Sequence, residues 1–258
     1  MISNLRALSR LLAIIAAIKI YYFTWWLGLA VVGHRPAERA RWRARIFNSW
    51  SRTLLSILKL EIEVIGEPPA APFLLVSNHL SYIDVLLLAS QLDAVFVAKA
   101  EVASWPLLGT ICRSMDTIFI ERGARHDVPR VLAAIDNAME RGDGVVIFPE
   151  GTSSAGDRVL PFRSPLLATA ASLRQPVHYA TLSYATTAPD PPADLAVCWW
   201  GAMTFPAHFW RLLGLRQVIG RLRFGAHAVT SSDRKQLAAT LHAAVSREFE
   251  PVVGSAAR

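Results

Sequence analysis

The sequence predicts an α/β fold, a mostly parallel sheet covered by helices, preceded by an N-terminal membrane-associated helical hairpin. Three observations predict it. Short continuous apolar runs alternate with amphipathic stretches from residue 61 onward, the pattern of a sheet buried on both faces. The run "LLAIIAAIKIYYFTWWLGLAVVG", Leu11 to Gly33, holds one charge, Lys19, over a length close to the roughly 20 residues that cross a hydrocarbon core. Hydrophobic residues make up 53% of the chain and charged residues 18%, against about a quarter charged in ordinary soluble domains, so the apolar excess needs a destination beyond a core. The expected division is therefore a membrane-associated helical segment over 1–60 and an α/β domain over 61–258.

Arg6 and Arg10 precede the first apolar run, and Arg35, Arg39, Arg41, Arg43 and Arg45 follow it. Positive charge on both sides suits a re-entrant or in-plane hairpin as well as a span. Tyr21, Tyr22, Trp25 and Trp26 lie mid-run, whereas interfacial aromatics favour the ends of a span. A signal peptide fits less well, for no small-x-small cleavage site closes the run. From Ala37 to Leu60 the pattern is helical: Trp42, Ile46, Trp50, Leu54 and Leu58 recur every four residues. With arginines crowding its first half, this reads as a helix in the headgroup layer facing lipid phosphates, or as a solvated face over a core. The net charge of +7 beside an apolar anchor points to an anionic membrane rather than nucleic acid.

"EPPAAP" (67–72) is the turn into the second region. Expected strands are Glu61–Ile65, Phe73–Ser77, Ala94–Ala98, Thr117–Glu121, Val145–Pro149, Val177–Leu182 and Leu195–Trp200. Expected helices are Tyr82–Gln91, Pro106–Arg113, Val128–Arg141, Pro165–Leu173, Ala207–Leu213 and Arg234–Phe249. Cys112 and Cys198 sit in apolar surroundings without CxxC spacing, so they read as reduced thiols of a cytosolic compartment.

Ligand groups in open α/β sheets gather where strands end. Three polar clusters follow strands: "NHLSYID" after "FLLVS", "ERG" after "TIFI", and "EGTSSAGDR" after "VVIFP". A loop turning into a helix brings His79 and Asp84 within reach, and a carboxylate that fixes an imidazole makes it a general base. A helix cap with a packing histidine is the plain alternative; a His–Asp metal site lacks a third ligand at suitable spacing. Glu150 and Thr152 can hold hydroxyls beside Gly151, where backbone approaches a ligand closely, or they form a capped turn. Lys99 and Arg122 end their strands as anion binders or as solvated charges.

Taken in order, these clusters resemble the glycerolipid acyltransferase family. Asn78, His79, Ser81 and Asp84 match its NHxSxxD motif. "IFIER" with Arg122 matches its strand ending in arginine, and Phe148 to Thr152 matches FPEGT. Lys99, Glu101, Pro106 and Gly109 resemble its lysine–glutamate and proline–glycine segment, and "QPVHYATL" its fourth element. The resemblance covers about Phe73 to Leu182. It implies O-acyl transfer from acyl-CoA or acyl carrier protein, as co-substrate, to the free hydroxyl of a one-chain lipid. His79 and Asp84 are catalytic, and Asn78, Ser81, Lys99, Arg122, Glu150, Gly151, Thr152 and Arg158 bind substrate. No cofactor, metal or acyl-enzyme is implied, since no GxSxG elbow is present. Lys99 is the candidate donor to the oxyanion. His34, His126, His178, His208, His227 and His242 match no family motif and read as structural.

One departure stands out. Many family members carry arginine after FPEGT, and here Ser153 stands there. Either Arg122, Arg158 or Arg163 meets an acceptor phosphate, or the acceptor carries none. The string "FPEGTSSAGDRVLPFRSPL" and the tail "WWGAMTFPAHFWRLL" resemble the branch that acylates lyso-ornithine lipid, which ranks that acceptor ahead of 1-acylglycerol-3-phosphate. Trp199, Trp200, Phe205, Phe209 and Trp210 read as a second interfacial patch or as core. The rival readings are a thioesterase using the same His–Asp pair and a non-catalytic membrane scaffold. The expected location is the inner (cytoplasmic) membrane, with the site facing the cytosol.

Overall fold

The computed structural model describes residues 2–32, 35–121 and 123–252. Gly33, where the expected span ends, His34 and Arg122 lie outside the described residues. The first helix, α1 (Ile2–Val32), begins well before Leu11, because Ile2, Leu5 and Leu8 continue the apolar repeat. It is the one helix among the described residues long and apolar enough to cross a membrane. Helix α2 (Pro36–Leu58) starts on a proline, whose missing amide hydrogen costs nothing in a first turn, and stops at Lys59 in a left-handed conformation. The pair packs through the inner face of α1, where Ala7, Ile14, Ala17 and Gly28 are buried. A side chain at Gly28 would occupy the space of the Trp42 ring, so only glycine allows this approach.

The remaining elements are β1 (Leu60–Ile65), β2 (Leu74–Ser77), α3 (Ile83–Ala89), β3 (Ala94–Lys99), α4 (Leu108–Ser114), β4 (Ile118–Ile120), α5 (Val128–Glu140) and β5 (Gly144–Ile147), then α6 (Ala168–Ser172), β6 (Val177–Thr186), α7 (Ala193–Ala196), α8 (Phe205–Gly214), β7 (Val218–Phe224) and α9 (Arg234–Glu248). One seven-stranded sheet runs in the order β1-β7-β6-β2-β5-β3-β4. Strand β6 meets β7 antiparallel and every other pairing is parallel, so the mostly parallel sheet is observed. Alternate strand residues feed opposite faces: Val146 joins one core with α1, α2 and α3, while Val145 joins another with α5 and α9. The first core crosses residue 60 without a break. Phe47, Trp50 and Leu54 of α2 pack with Leu87, Leu88 and Phe96, each burial being worth about 1.5–3 kcal/mol.

Two expectations need correction. Leu195–Trp200 is not a strand. Its start lies in α7, and Val197 and Cys198 follow as fully buried coil. The place beside β6 belongs instead to β7, which the sequence reading missed. In β7 the buried Val218, Gly220, Leu222 and Phe224 alternate with Ile219, Arg221 and Arg223. That period-two signal was legible, but the arginines and the glycine break the continuous apolar run that marks β2, β3 and β5.

Strand direction orients the molecule. Because β7 and β1 run opposite to β2 and β5, the end of α8 and the start of β1 sit where β2 and β5 finish. The Arg10 guanidinium donates to the carbonyls of Leu213 and Leu215 there, at 3.0 and 2.6 Å. Helix α1 therefore begins at that end of the sheet and lies along the body toward the other.

Candidate active site

Strands β2 and β5 are neighbours, with Val76 opposite Ile147. The loops that leave them therefore meet, which brings the His79 and Glu150 clusters together. His79 follows β2, and its imidazole stacks on Phe148 at 4.2 Å between ring centres. The Ser154 amide donates to the His79 carbonyl at 3.0 Å, tying the two loops.

Asp84 lies in the first turn of α3 and is fully buried. Its Oδ2 accepts from His79 Nδ1 at 2.8 Å and from the amides of Leu80 and Ser81 at 2.6 and 3.0 Å; its Oδ1 accepts from the Tyr184 hydroxyl at 2.7 Å. Four donors compensate the lost hydration of this carboxylate. The plain alternative, a capping carboxylate, is thus also true: one side chain caps the turn and holds the imidazole. With Nδ1 directed to a carboxylate, the proton sits on Nδ1 and Nε2 presents a lone pair. Nε2 has no partner among the described residues, and the side chain keeps 17% of its surface exposed.

Glu150 is 3% exposed. Its Oε1 accepts from the His79 amide at 2.9 Å, while Oε2 makes no hydrogen bond of normal geometry. Burial pushes its carboxyl up to about 8, against a downward pull from the amides of His79 and Leu160, and the nearby Asp84 charge adds to the rise. Gly151 has φ +73, a backbone conformation that favours glycine, and a Cβ there would come within 3.3 Å of Arg163 Nε. The close neighbour of this turn is the Arg163 side chain. Ser153, at the family's usual arginine, donates its hydroxyl to the Trp199 carbonyl.

The other sequence-derived site residues scatter. Asn78 and Ser81 are fully buried. The Asn78 amide clamps β6, donating to the Leu182 carbonyl at 2.9 Å and accepting from its amide at 2.8 Å. In this arrangement both frame the site, with no side-chain surface presented to it. Thr152 is exposed, Arg158 is exposed and faces Asp157 at 3.8 Å, and Lys99, at the end of β3, pairs with Glu101.

Sequence reasoning missed Tyr184. It lies beyond the expected end of its strand, yet β6 runs on to Thr186. Burial and the Asp84 charge hold its phenol well above the usual range, so it donates to Asp84 as a neutral hydroxyl. Trp199, Phe205 and Phe209 of the expected aromatic patch form a wall with Tyr82 and Trp105, which sequence reasoning did not place there; the rings lie 5.1–6.4 Å apart. The Trp199 amide donates to the Leu80 carbonyl at 2.8 Å, which fixes this wall beside His79. His208 is buried beneath it, accepting from the Tyr82 hydroxyl and donating to the Cys198 carbonyl, both at 3.0 Å; burial lowers its proton affinity.

Comparisons with known proteins identify the family and the fold. The family model described as Acyltransferase matches residues 61–184. A lyso-ornithine lipid O-acyltransferase of Brucella abortus (strain 2308) is 32% identical over 213 residues, covering 78% of this chain and 80% of that protein. A 1-acyl-sn-glycerol-3-phosphate acyltransferase of Neisseria meningitidis serogroup B is 30% identical over 204 residues, covering 76% and 77%. In fold, the chain is similar to the crystal structure of the 1-acyl-sn-glycerophosphate acyltransferase PlsC from Thermotoga maritima, with TM-score 0.68, 18% identity and 96% of each chain covered. The sheet order, the joined strand ends and these relatives lead to one assignment: the chain belongs to the acyltransferase family, enzymes of lipid biosynthesis.

Proposed function

We propose that this acyltransferase moves a fatty acyl group from a thioester, acyl carrier protein or acyl-CoA, to the free hydroxyl of a membrane lysolipid. The observation that carries the chemistry is the His79–Asp84 pair, with its buried carboxylate and its outward Nε2. Nε2 takes the hydroxyl proton as the oxygen attacks the thioester carbonyl, and Asp84 stabilises the imidazolium that forms. The tetrahedral intermediate then expels the thiolate, which recovers a proton from the imidazolium as the ester forms. Glu150 braces the His79 amide from below.

Lyso-ornithine lipid is the preferred acceptor, ahead of 1-acylglycerol-3-phosphate. Ser153 supports this order, since its hydroxyl is committed to Trp199 where a phosphate-binding arginine is usual. Arg163, lying over Gly151, is the cation nearest this turn among the described residues and the first candidate to meet an acidic headgroup, carboxylate or phosphate. The test is an acceptor panel with radiolabelled donor on wild type and Arg163→Gln. Lyso-ornithine lipid is expected to give the higher kcat/KM, with the variant raising KM. Efficient use of 1-acylglycerol-3-phosphate with lyso-ornithine lipid ignored reverses the ranking, and free fatty acid released regardless of acceptor defeats transfer altogether.

The enzyme sits on the cytosolic face of the inner membrane with α1 lying in the membrane plane. Leu5, Leu8, Leu12, Ile15, Ile20, Phe23, Leu27 and Val31 form an exposed apolar stripe along its whole length, opposite the face packed on the body. A helix packed along the domain cannot cross a bilayer unless the domain enters too. Replacing Phe23, Trp26 and Leu27 with serine should shift the protein from membrane to soluble fractions, whereas unchanged flotation with vesicles defeats the in-plane reading.

A further inference from the structure

The end of the sheet away from His79 carries a second polar feature. A cavity of about 430 Å³ opens between the C-terminal part of α1, the start of α2 and the ends of α4 and α5. Its cationic wall is Arg39, Arg43, Arg113 and Arg141, and its apolar wall includes Trp25 and Leu29. Arg141 and Asp143 immediately precede β5, whereas Glu150 follows it. The cavity therefore lies roughly 20 Å along the strand from the candidate active site.

The four guanidiniums are not balanced. Arg43 is 4% exposed and pairs with both Asp116 and Asp143. Arg141 shares Asp143 at 3.4 Å. Arg113 is steered by neutral acceptors, donating to the Ala103 carbonyl at 2.6 Å and to Thr110 Oγ1 at 3.2 Å. Arg39 makes no ion pair among the described residues. Four positive charges thus face two carboxylates. The surplus sits in a cavity of ligand size, beside the edge of the buried Trp25 indole and the half-buried Leu29.

We propose that this cavity binds the phosphodiester of a membrane phospholipid, separately from the acceptor that reaches His79. Arg39 and Arg113 supply N–H pairs to the phosphate oxygens, the geometry for which a guanidinium is suited. Arg43, locked by its two aspartates, holds the hairpin against the body so that the arginines converge. Leu29, with the edge of the buried Trp25 behind it, receives the upper part of an acyl chain. A free anion would be drawn by the same charge, but it leaves the apolar wall unused.

The test titrates full-length protein in neutral detergent with dihexanoyl-phosphatidylglycerol and, separately, with inorganic phosphate, by calorimetry. Wild type is expected to bind the lipid more tightly than inorganic phosphate. Arg39→Gln/Arg113→Gln should weaken lipid binding at least tenfold, Arg39→Lys/Arg113→Lys should do so less, and Arg234→Gln on α9 should leave it unchanged. Should the double variant fail to fold, Arg39→Gln alone, at an exposed position near the start of α2, is expected to weaken binding about threefold. Unchanged lipid affinity in the glutamine variants overturns the proposal. So does inorganic phosphate binding as tightly as the lipid, which would make the cavity a plain anion site.

Discussion

Asp84 and Arg43 are both buried charges, one at each end of the same sheet, and they are compensated in opposite ways. Asp84 has no exposed surface and is surrounded by donors from its own loop and from β6. Arg43 is nearly as buried but is matched by two carboxylates from the α4–β4 and α5–β5 turns. The first arrangement holds one imidazole and leaves its other nitrogen, Nε2, without a partner among the described residues. The second fastens the N-terminal hairpin to the body and leaves an excess of arginines facing a cavity. The comparison teaches that burial of charge is used at one end to aim a reactive atom and at the other to join two parts of the fold.

The largest effect should come from the reactive end. His79→Ala removes the proposed base and is expected to cut kcat by about 10²–10⁴-fold. The ring is mostly buried and donates to the fully buried Asp84 carboxylate, so the variant should also lose about 1–3 kcal/mol of stability, and turnover is read where it remains folded. A variant that keeps its turnover would make the His79–Asp84 pair a cap and nothing more. Arg43→Met should behave in the reverse manner. It leaves Asp143 buried with only the distant Arg141 contact, and removing one partner of a buried pair costs about 3–5 kcal/mol. Because Asp116 is half exposed, the lower end of that range is expected, read from chemical denaturation. If the midpoint is unchanged, the pairing is not what fastens the hairpin.

The two ends also differ in how legible they were. His79 and Asp84 lie five residues apart in a short loop entering a helix, so local geometry allowed their pairing, and the resemblance of Asn78, His79, Ser81 and Asp84 to NHxSxxD chose it over a plain cap. Tyr184 reaches the same carboxylate only because β6 lies beside β2, and strand order is not written in local periodicity. Ser153 and Trp199 meet for the same non-local reason. At the other end, the arginines of α2 were read as one lipid-facing group. Arg41 and Arg45 are exposed, but Arg43 turns inward to aspartates that precede distant strands. The unbroken apolar runs of β2, β3 and β5 were legible, but so was the run at Leu195–Trp200, which is not a strand, and β7, with arginines on its alternate positions, was not found.

Glu150 offers the finest test of the reactive end. Its carboxyl is held near 8 by burial, far above its value in an unfolded chain, about 4.3. The folded protein therefore binds a proton there that the unfolded chain has lost. The sign follows: this site favours folding fully below about pH 4, and the advantage is lost as pH rises through 8. Glu150→Gln keeps a neutral amide in place of the neutral acid and removes the titration. The two proteins should melt at similar temperatures at pH 5, with wild type falling below the variant by pH 9. A tenfold change in proton affinity corresponds to about 1.4 kcal/mol, so a rise of even that size lowers the midpoint by about 3–5 °C in a chain of this size. Melting curves that stay parallel from pH 5 to 9 would mean that Glu150 is ionised in the fold, which would set a second buried carboxylate charge beside Asp84 and remove the contrast with the arginine-rich end.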